Sequence, residues 1–205
     1  MCGICGKINY NSEPINRQLL EKMTEVLSHR GPDQSNIYIN GNIGLGHRRL
    51  SIIDLSNAAS QPMSNEDGTI WIVLNGEIYN FLELRKNLEE KGHRFKSRSD
   101  TEVIVHLYEE LGVSCVGKLK GMFAFAVWDQ NNKRLLLVRD RVGKKPLNYA
   151  IKNGNLIFAS EIKSILQDPD IKREINFKAV DRYLTYLYVP APETIFNGIM
   201  KLPPA

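Results

Sequence analysis

The 205-residue chain carries 27 basic and 23 acidic side chains, a net charge of +4, with 42% hydrophobic and 24% charged residues. Such a chain can bury one sizeable core, which excludes whole-chain disorder and low complexity. No apolar run nears the roughly 20 residues of a membrane span, no basic stripe suits nucleic acid, and residues 1–7 lack the pattern of a secretory signal. Neither a membrane nor a nucleic-acid partner is therefore expected. The three cysteines, Cys2, Cys5 and Cys115, cannot all pair, which points to a reducing cytoplasm.

In chain order, residues 4–10 are expected to form a strand. Over 16–28, Leu19, Leu20, Met23, Val26 and Leu27 recur at helical spacing, and Arg30-Gly31-Pro32-Asp33 stops that helix because proline cannot continue it. Strands over 37–39 and 43–53 flank the turn Asn40-Gly41-Asn42, and loops are expected at 61–63 and 65–68. Residues 69–74 read as a buried strand leading into Asn75-Gly76-Glu77-Ile78-Tyr79-Asn80. A helix over 81–91 ends at Gly92, a left-handed stop. The charged run 94–98 reads as a solvated loop. A second helix starts at Ser99-Asp100-Thr101-Glu102, a capping-box spacing, and runs to Gly112. Two hairpins follow, 122–128 with 135–138 and 147–151 with 156–159; their nearly continuous apolar runs suggest strands covered on both faces. That pattern implies two stacked sheets with helices outside. Residues 1–190 are expected to form one domain and the proline-containing 191–205 a linker.

The most informative residue is Cys2. With an initiator methionine removed, it carries a thiol and a free α-amine, whose unperturbed pKa of about 7.7–8.0 makes it a built-in general base. On composition alone, a small buried cysteine is the commoner reading. A metal or redox role for Cys2-x-x-Cys5 is disfavoured, because strand alternation puts the two on opposite faces and no second close pair of Cys or His completes a zinc site. No metal site is expected.

Several stretches, in order, resemble the glutaminase domain of the class II glutamine amidotransferases, and within that class its asparagine synthetases: Met1-Cys2-Gly3-Ile4, Arg30-Gly31-Pro32-Asp33, the run from Gly46 to Asp54, Asn75-Gly76-Glu77, Ser99-Asp100-Thr101-Glu102, Arg139-Asp140-Arg141 and Ala159-Ser160-Glu161. The resemblance implies an α+β, four-layer αββα sandwich of the N-terminal-nucleophile hydrolase type. It implies that Cys2 attacks the side-chain amide of L-glutamine, with Asn75 and Gly76 as oxyanion donors. It further implies a substrate pocket in which Arg49 grips the α-carboxylate, Asp100 and Glu77 hold the α-ammonium end, and Ile52 and Ile53 line the wall. Arg30 and Gly31 are expected to shape the loop over the nucleophile, while Asp33 and His47 read as structural.

Taken alone, Asn75-Gly76 would read as a hairpin turn, Arg49 as an exposed strand charge and Asp100 as a helix cap. The resemblance further implies a synthetase domain or subunit that accepts ammonia; ATP and magnesium are expected only there, so no cofactor is expected in this chain. The basic residues around 139–145 are expected to face that partner, and a homodimer is a further possibility of assembly. A sugar amidotransferase, or a non-catalytic partner-binding remnant, are the alternative readings.

Overall fold

The computed structural model describes residues 1–204. The first strand, β1 (Gly3–Asn9), is followed by α1 (Arg17–Glu25), β2 (Gln34–Asn40), β3 (Ile43–Arg49), β4 (Met63–Ser64), β5 (Ile70–Ile78), α2 (Phe81–Glu90) and α3 (Asp100–Leu111). Then come β6 (Gly121–Asp129), β7 (Arg134–Arg139), β8 (Asn148–Lys152), β9 (Asn155–Ala159), α4 (Ile162–Ile165), α5 (Phe177–Tyr186) and β10 (Ile199–Lys201). Every strand pair is antiparallel. A six-stranded sheet runs β10-β8-β9-β1-β3-β2, and a four-stranded sheet runs β4-β5-β6-β7.

Strand alternation builds three apolar layers from these two sheets. Between the sheets lie Ile4, Ile8, Leu45, Val73, Ala124, Ala126 and Phe158. Outside the four-stranded sheet, Ile72, Leu74, Phe123 and Phe125 pack on Val103, Ile104 and Leu107 of α3. Outside the larger sheet, Cys5, Ile157 and Ala159 pack on Leu20, Met23 and Leu27 around α1 and on Ile165 of α4. The result is an αββα sandwich. No helix among the described residues is long and apolar enough to cross a membrane.

Several local expectations are corrected. The strand expected over 43–53 stops at Arg49, because residues 50–56 leave the sheet: the Asp33 carboxylate accepts Ser51 N–H at 2.7 Å, and Asp54 adopts a positive φ of 52°. The strand expected over 69–74 runs on as β5 through Asn75-Gly76 to Ile78, with Asn75 opposite Ala124 and Gly76 opposite Phe123. Residues 63–64 form a short strand rather than loop. The α3 cap is only half a capping box. Ser99 Oγ accepts Thr101 N–H at 3.1 Å, but Glu102 reaches back past Ser99 to accept the N–H groups of Lys96 and Ser97, each at 2.7 Å. That reach buries Ser97, and Phe95 is partly buried beneath the Arg85 guanidinium, so the 94–98 loop is solvated only at its basic residues.

Residues 191–205 are not a free linker over their described part. Ile199 is buried and pairs with Ala150, while Leu202 N–H donates to Leu147 O at 2.8 Å. Nor are the arginines of 139–145 free. Arg139 donates to the carbonyls of Lys145, Gly143 and Leu202, and Arg141 to those of Leu119 and Gly117.

Candidate active site

Chain ends and strand ends converge at one edge of the sandwich. Cys2 precedes β1, Arg49 closes the neighbouring β3, Asn75 and Gly76 lie on β5 of the facing sheet, and Asp100 opens α3. Together with Ile52, Ile53 and Glu77 they line one open cleft. Every residue expected from the sequence to contact substrate is therefore gathered in that cleft, along with Leu50, Gln61, Ser99 and Lys145, which the sequence did not assign to substrate.

The Cys2 thiol is half-buried and held by the backbone of Leu50: Leu50 N–H donates to Sγ at 3.4 Å, and Sγ lies 3.7 Å from Leu50 O. Burial pushes the thiol pKa up, against the Leu50 N–H and the charges of the chain terminus and Arg49, which pull it down. The net rise leaves the thiol protonated near neutrality, so a base is needed to unmask it. Cys5 and Cys115 are fully buried and pushed up to about 11 by burial, which makes them inert. Cys5 faces Thr24 beneath α1, on the other side of the sheet from the cleft, as strand alternation requires.

Arg30 fixes the segment that carries the nucleophile. Its Nε donates to Cys2 O at 2.9 Å and its Nη1 to Glu161 Oε1 at 2.8 Å. Gly31 is required beside it, since a Cβ there would lie 2.6 Å from the carbonyl carbon of Arg49.

Asn75 is 1% exposed, and neither its Nδ2 nor its Oδ1 has a hydrogen-bond partner among the described residues. Leaving a buried amide unpaired costs about 1–3 kcal/mol, a cost that a partner in the cleft would relieve. Gly76 lets β5 and β6 approach closely: a Cβ there would sit 2.6 Å from Phe123 Cα and clash with Met122 O. His47 bridges the two sheets by its Nε2 contact with Leu74 O at 3.1 Å, and burial drives its pKa down to about 4. It is a neutral spacer beside Asn75, in keeping with a structural role.

Arg49 is 4% exposed, and its guanidinium donates only to neutral oxygens: Gln34 Oε1 at 3.0 Å, Ser56 O at 2.9 Å and Asp54 O. No carboxylate among the described residues forms an ion pair with it, so its charge is anchored but not neutralised. The opposite holds at Asp100. Its Oδ2 accepts Ile78 N–H at 2.8 Å and Oδ1 lies 3.4 Å from Ser99 Oγ, while burial raises its pKa and nearby Glu77 adds to the rise. A buried carboxylate without a cation would gain from one. One cleft thus offers a cation, an anion, a thiol and an unpaired amide, which suits a zwitterion bearing a carbonyl to be attacked.

The family described as "Glutamine amidotransferase domain" matches residues 1–205. Asparagine synthetase [glutamine-hydrolyzing] 2 of Bacillus subtilis (strain 168) is 48% identical over 181 residues, covering 87% of this chain and 24% of that protein. Asparagine synthetase [glutamine-hydrolyzing] 1 of the same organism is 41% identical over 210 residues, covering 100% of this chain and 32% of that protein. The chain thus spans about a quarter to a third of the length of these curated relatives. Among solved structures, glutamine phosphoribosylpyrophosphate amidotransferase from B. subtilis is similar with a TM-score of 0.68 at 22% identity, over 80% of this chain and 43% of that one. That likeness extends to the fold, and the sandwich is of the N-terminal-nucleophile hydrolase type.

Proposed function

The chain belongs to the class II glutamine amidotransferase domain family, and from that premise we propose that it hydrolyses the side-chain amide of L-glutamine through Cys2 and delivers ammonia to a synthetase domain or subunit that amidates activated aspartate. The observation that carries the proposal is the buried, unpaired Asn75 amide in the same cleft as the Cys2 thiol.

In this reading the α-carboxylate of glutamine pairs with Arg49, whose planar fork grips it while its other donors stay on backbone carbonyls. The α-ammonium pairs with Asp100, with Glu77 at the same end. The α-amine of Cys2, exposed once Met1 is removed, takes the thiol proton as sulfur attacks the amide carbon. The oxyanion that forms is met by Asn75 Nδ2 and Gly76 N–H, donors already in place, with the Asn75 amide already buried. Collapse expels ammonia, which takes its proton from the α-ammonium. Water then attacks the thioester, releasing glutamate and restoring the thiol.

The ammonia acceptor is proposed from the relatives, whose printed names are glutamine-hydrolysing asparagine synthetases. ATP and magnesium chemistry belongs, on this proposal, to that acceptor domain and not to this chain. The α5 face fits a covering partner: Phe177 is 82% exposed, and Leu184 and Leu187 are exposed near it. Cys2→Ala is the direct test. It should abolish ammonia release from glutamine with the circular dichroism of the wild type; turnover retained in a clean preparation would refute the nucleophile.

A further inference from the structure

We propose that the protein holds a zinc-class divalent cation on His93, His106 and Glu109, at a site separate from the glutamine cleft. No sequence spacing announces it, because His93 lies in the loop after α2 and His106 thirteen positions on, in α3.

The fold brings one ligand atom of each residue within 4.8 Å of the others. Both histidines present Nδ1 to the same carboxylate oxygen: His106 Nδ1 is 2.8 Å from Glu109 Oε2, and His93 Nδ1 is 3.6 Å from it. Tetrahedral ligands at bond lengths of about 2.0–2.1 Å stand roughly 3.3–3.5 Å apart, so the two separations from Glu109 Oε2 lie on either side of that value and modest closure of the group would form a zinc sphere. The second oxygen of Glu109 is occupied, accepting from Asn65 Nδ2 at 2.9 Å, which leaves Oε2 as a one-oxygen ligand.

The outer nitrogens complete the pattern. His93 Nε2 lies 3.1 Å from Glu110 Oε1, and His106 Nε2 lies 3.9 Å from Glu102 Oε1. Metal-bound histidines commonly turn their outer N–H to a carboxylate, which fixes the ring and raises its basicity. His106 is 1% exposed, and its Nε2 has no hydrogen-bond partner among the described residues, so small closure toward Glu102 on metal binding would satisfy it. The two imidazoles lie 4.9 Å apart between centroids, their planes tilted by 49°. Glu66 lies outside that group, with its Oε2 3.9 Å from His106 Nδ1. Two imidazoles with a carboxylate favour zinc over the hard magnesium or calcium ions.

Such an ion would pin the loop after α2 to α3, whose Glu109 is already tied to the turn between β4 and β5 by Asn65. His106 lies six residues beyond Asp100, about 9 Å along the helix, so the site would brace the helix that presents Asp100 without touching substrate.

The test uses the full chain stripped with a chelator. Cobalt(II) should add visible absorption bands of a tetrahedral nitrogen–oxygen site at one equivalent, without the near-ultraviolet band of a thiolate. Zinc at about a hundredfold over its dissociation constant should raise the Tm by roughly 5–10 °C. His93→Gln, in a half-buried loop position that should tolerate the change, should weaken binding at least tenfold and remove the Tm rise, as should His106→Gln where it folds. No cobalt spectrum and no zinc-dependent Tm shift would overturn the proposal. A thiolate band, or undiminished binding in His93→Gln, would overturn it equally by moving the ion to the cysteines or elsewhere.

Discussion

Glu161→Gln removes the charge that holds Arg30, and through it the backbone of Cys2. The Glu161 carboxylate sits 2.8 Å from Arg30 Nη1, 3.0 Å from His29 Nε2 and 3.3 Å from Lys163 Nζ. Burial pushes its pKa up, but the hydrogen bonds from Arg30 and His29 outweigh that and bring it from 4.5 to about 2. A drop of that size corresponds to roughly 3 kcal/mol. Because the side chain is 27% exposed, solvent screening reduces the expected loss to about 1–2 kcal/mol. The folded value is depressed, so this stability is fully present above about pH 4.5 and is lost as pH falls through about 2. Urea denaturation of wild type and variant should differ by that amount at about pH 7 and converge as pH falls across that window. In activity, a less fixed Arg30 should lower kcat for glutamine more than it raises KM, since the Arg30 Nε contact at 2.9 Å holds the nucleophile's own carbonyl. A stability difference independent of pH, or no difference near neutrality together with unchanged kcat, would refute the reasoning.

Arg49→Lys should cost roughly ten- to a hundredfold in kcat/KM for glutamine, mainly through KM, because a point charge cannot hold both the carbonyls of Asp54 and Ser56 and a carboxylate; wild-type kinetics would contradict the clamp. Asn75→Ala should lower kcat by about 10²–10³ with little change in KM, as measured by steady-state ammonia release. KM for glutamine should rise in acid as Asp100 takes up a proton, at a pH above the ordinary aspartate value because burial raises its pKa; Asp100→Asn should show the raised KM at every pH.

Much of the architecture could be read from local signals. The Leu20, Met23 and Leu27 stripe of α1 packs where its spacing put it, and the Ser99 cap starts α3 one residue later, at Asp100. The end of β3 could not be read, because Ser51-Ile52-Ile53 looks like strand. What stops it is nonlocal: Asp33 caps Ser51 N–H, and Arg49 folds the loop onto its own guanidinium. Ile52 is then 61% exposed at the cleft mouth. β10 was hidden for a similar reason, since three residues among prolines become a strand only by pairing with β8. In the cleft, side chains carried the signal and backbone did not. Leu50 meets Cys2 through main-chain atoms alone, which no residue identity announces. Lys145, buried with its Nζ 3.3 Å from Met1 Sδ, reaches the cleft across 144 positions of sequence. The His93–His106 pair was invisible because it exists only once α2 and α3 pack.

Cys2, and no other cysteine, is the proposed nucleophile toward glutamine. Inactivation with a diazo-ketone analogue of glutamine, with the adduct located by peptide mass mapping, tests this without relying on turnover. A single label is expected on Cys2 in chains that have lost Met1, blocked by excess glutamine and absent from Arg49→Lys at low reagent concentration. Label on Cys5 or Cys115, or full glutaminase activity in chains that remain unlabelled, would contradict it.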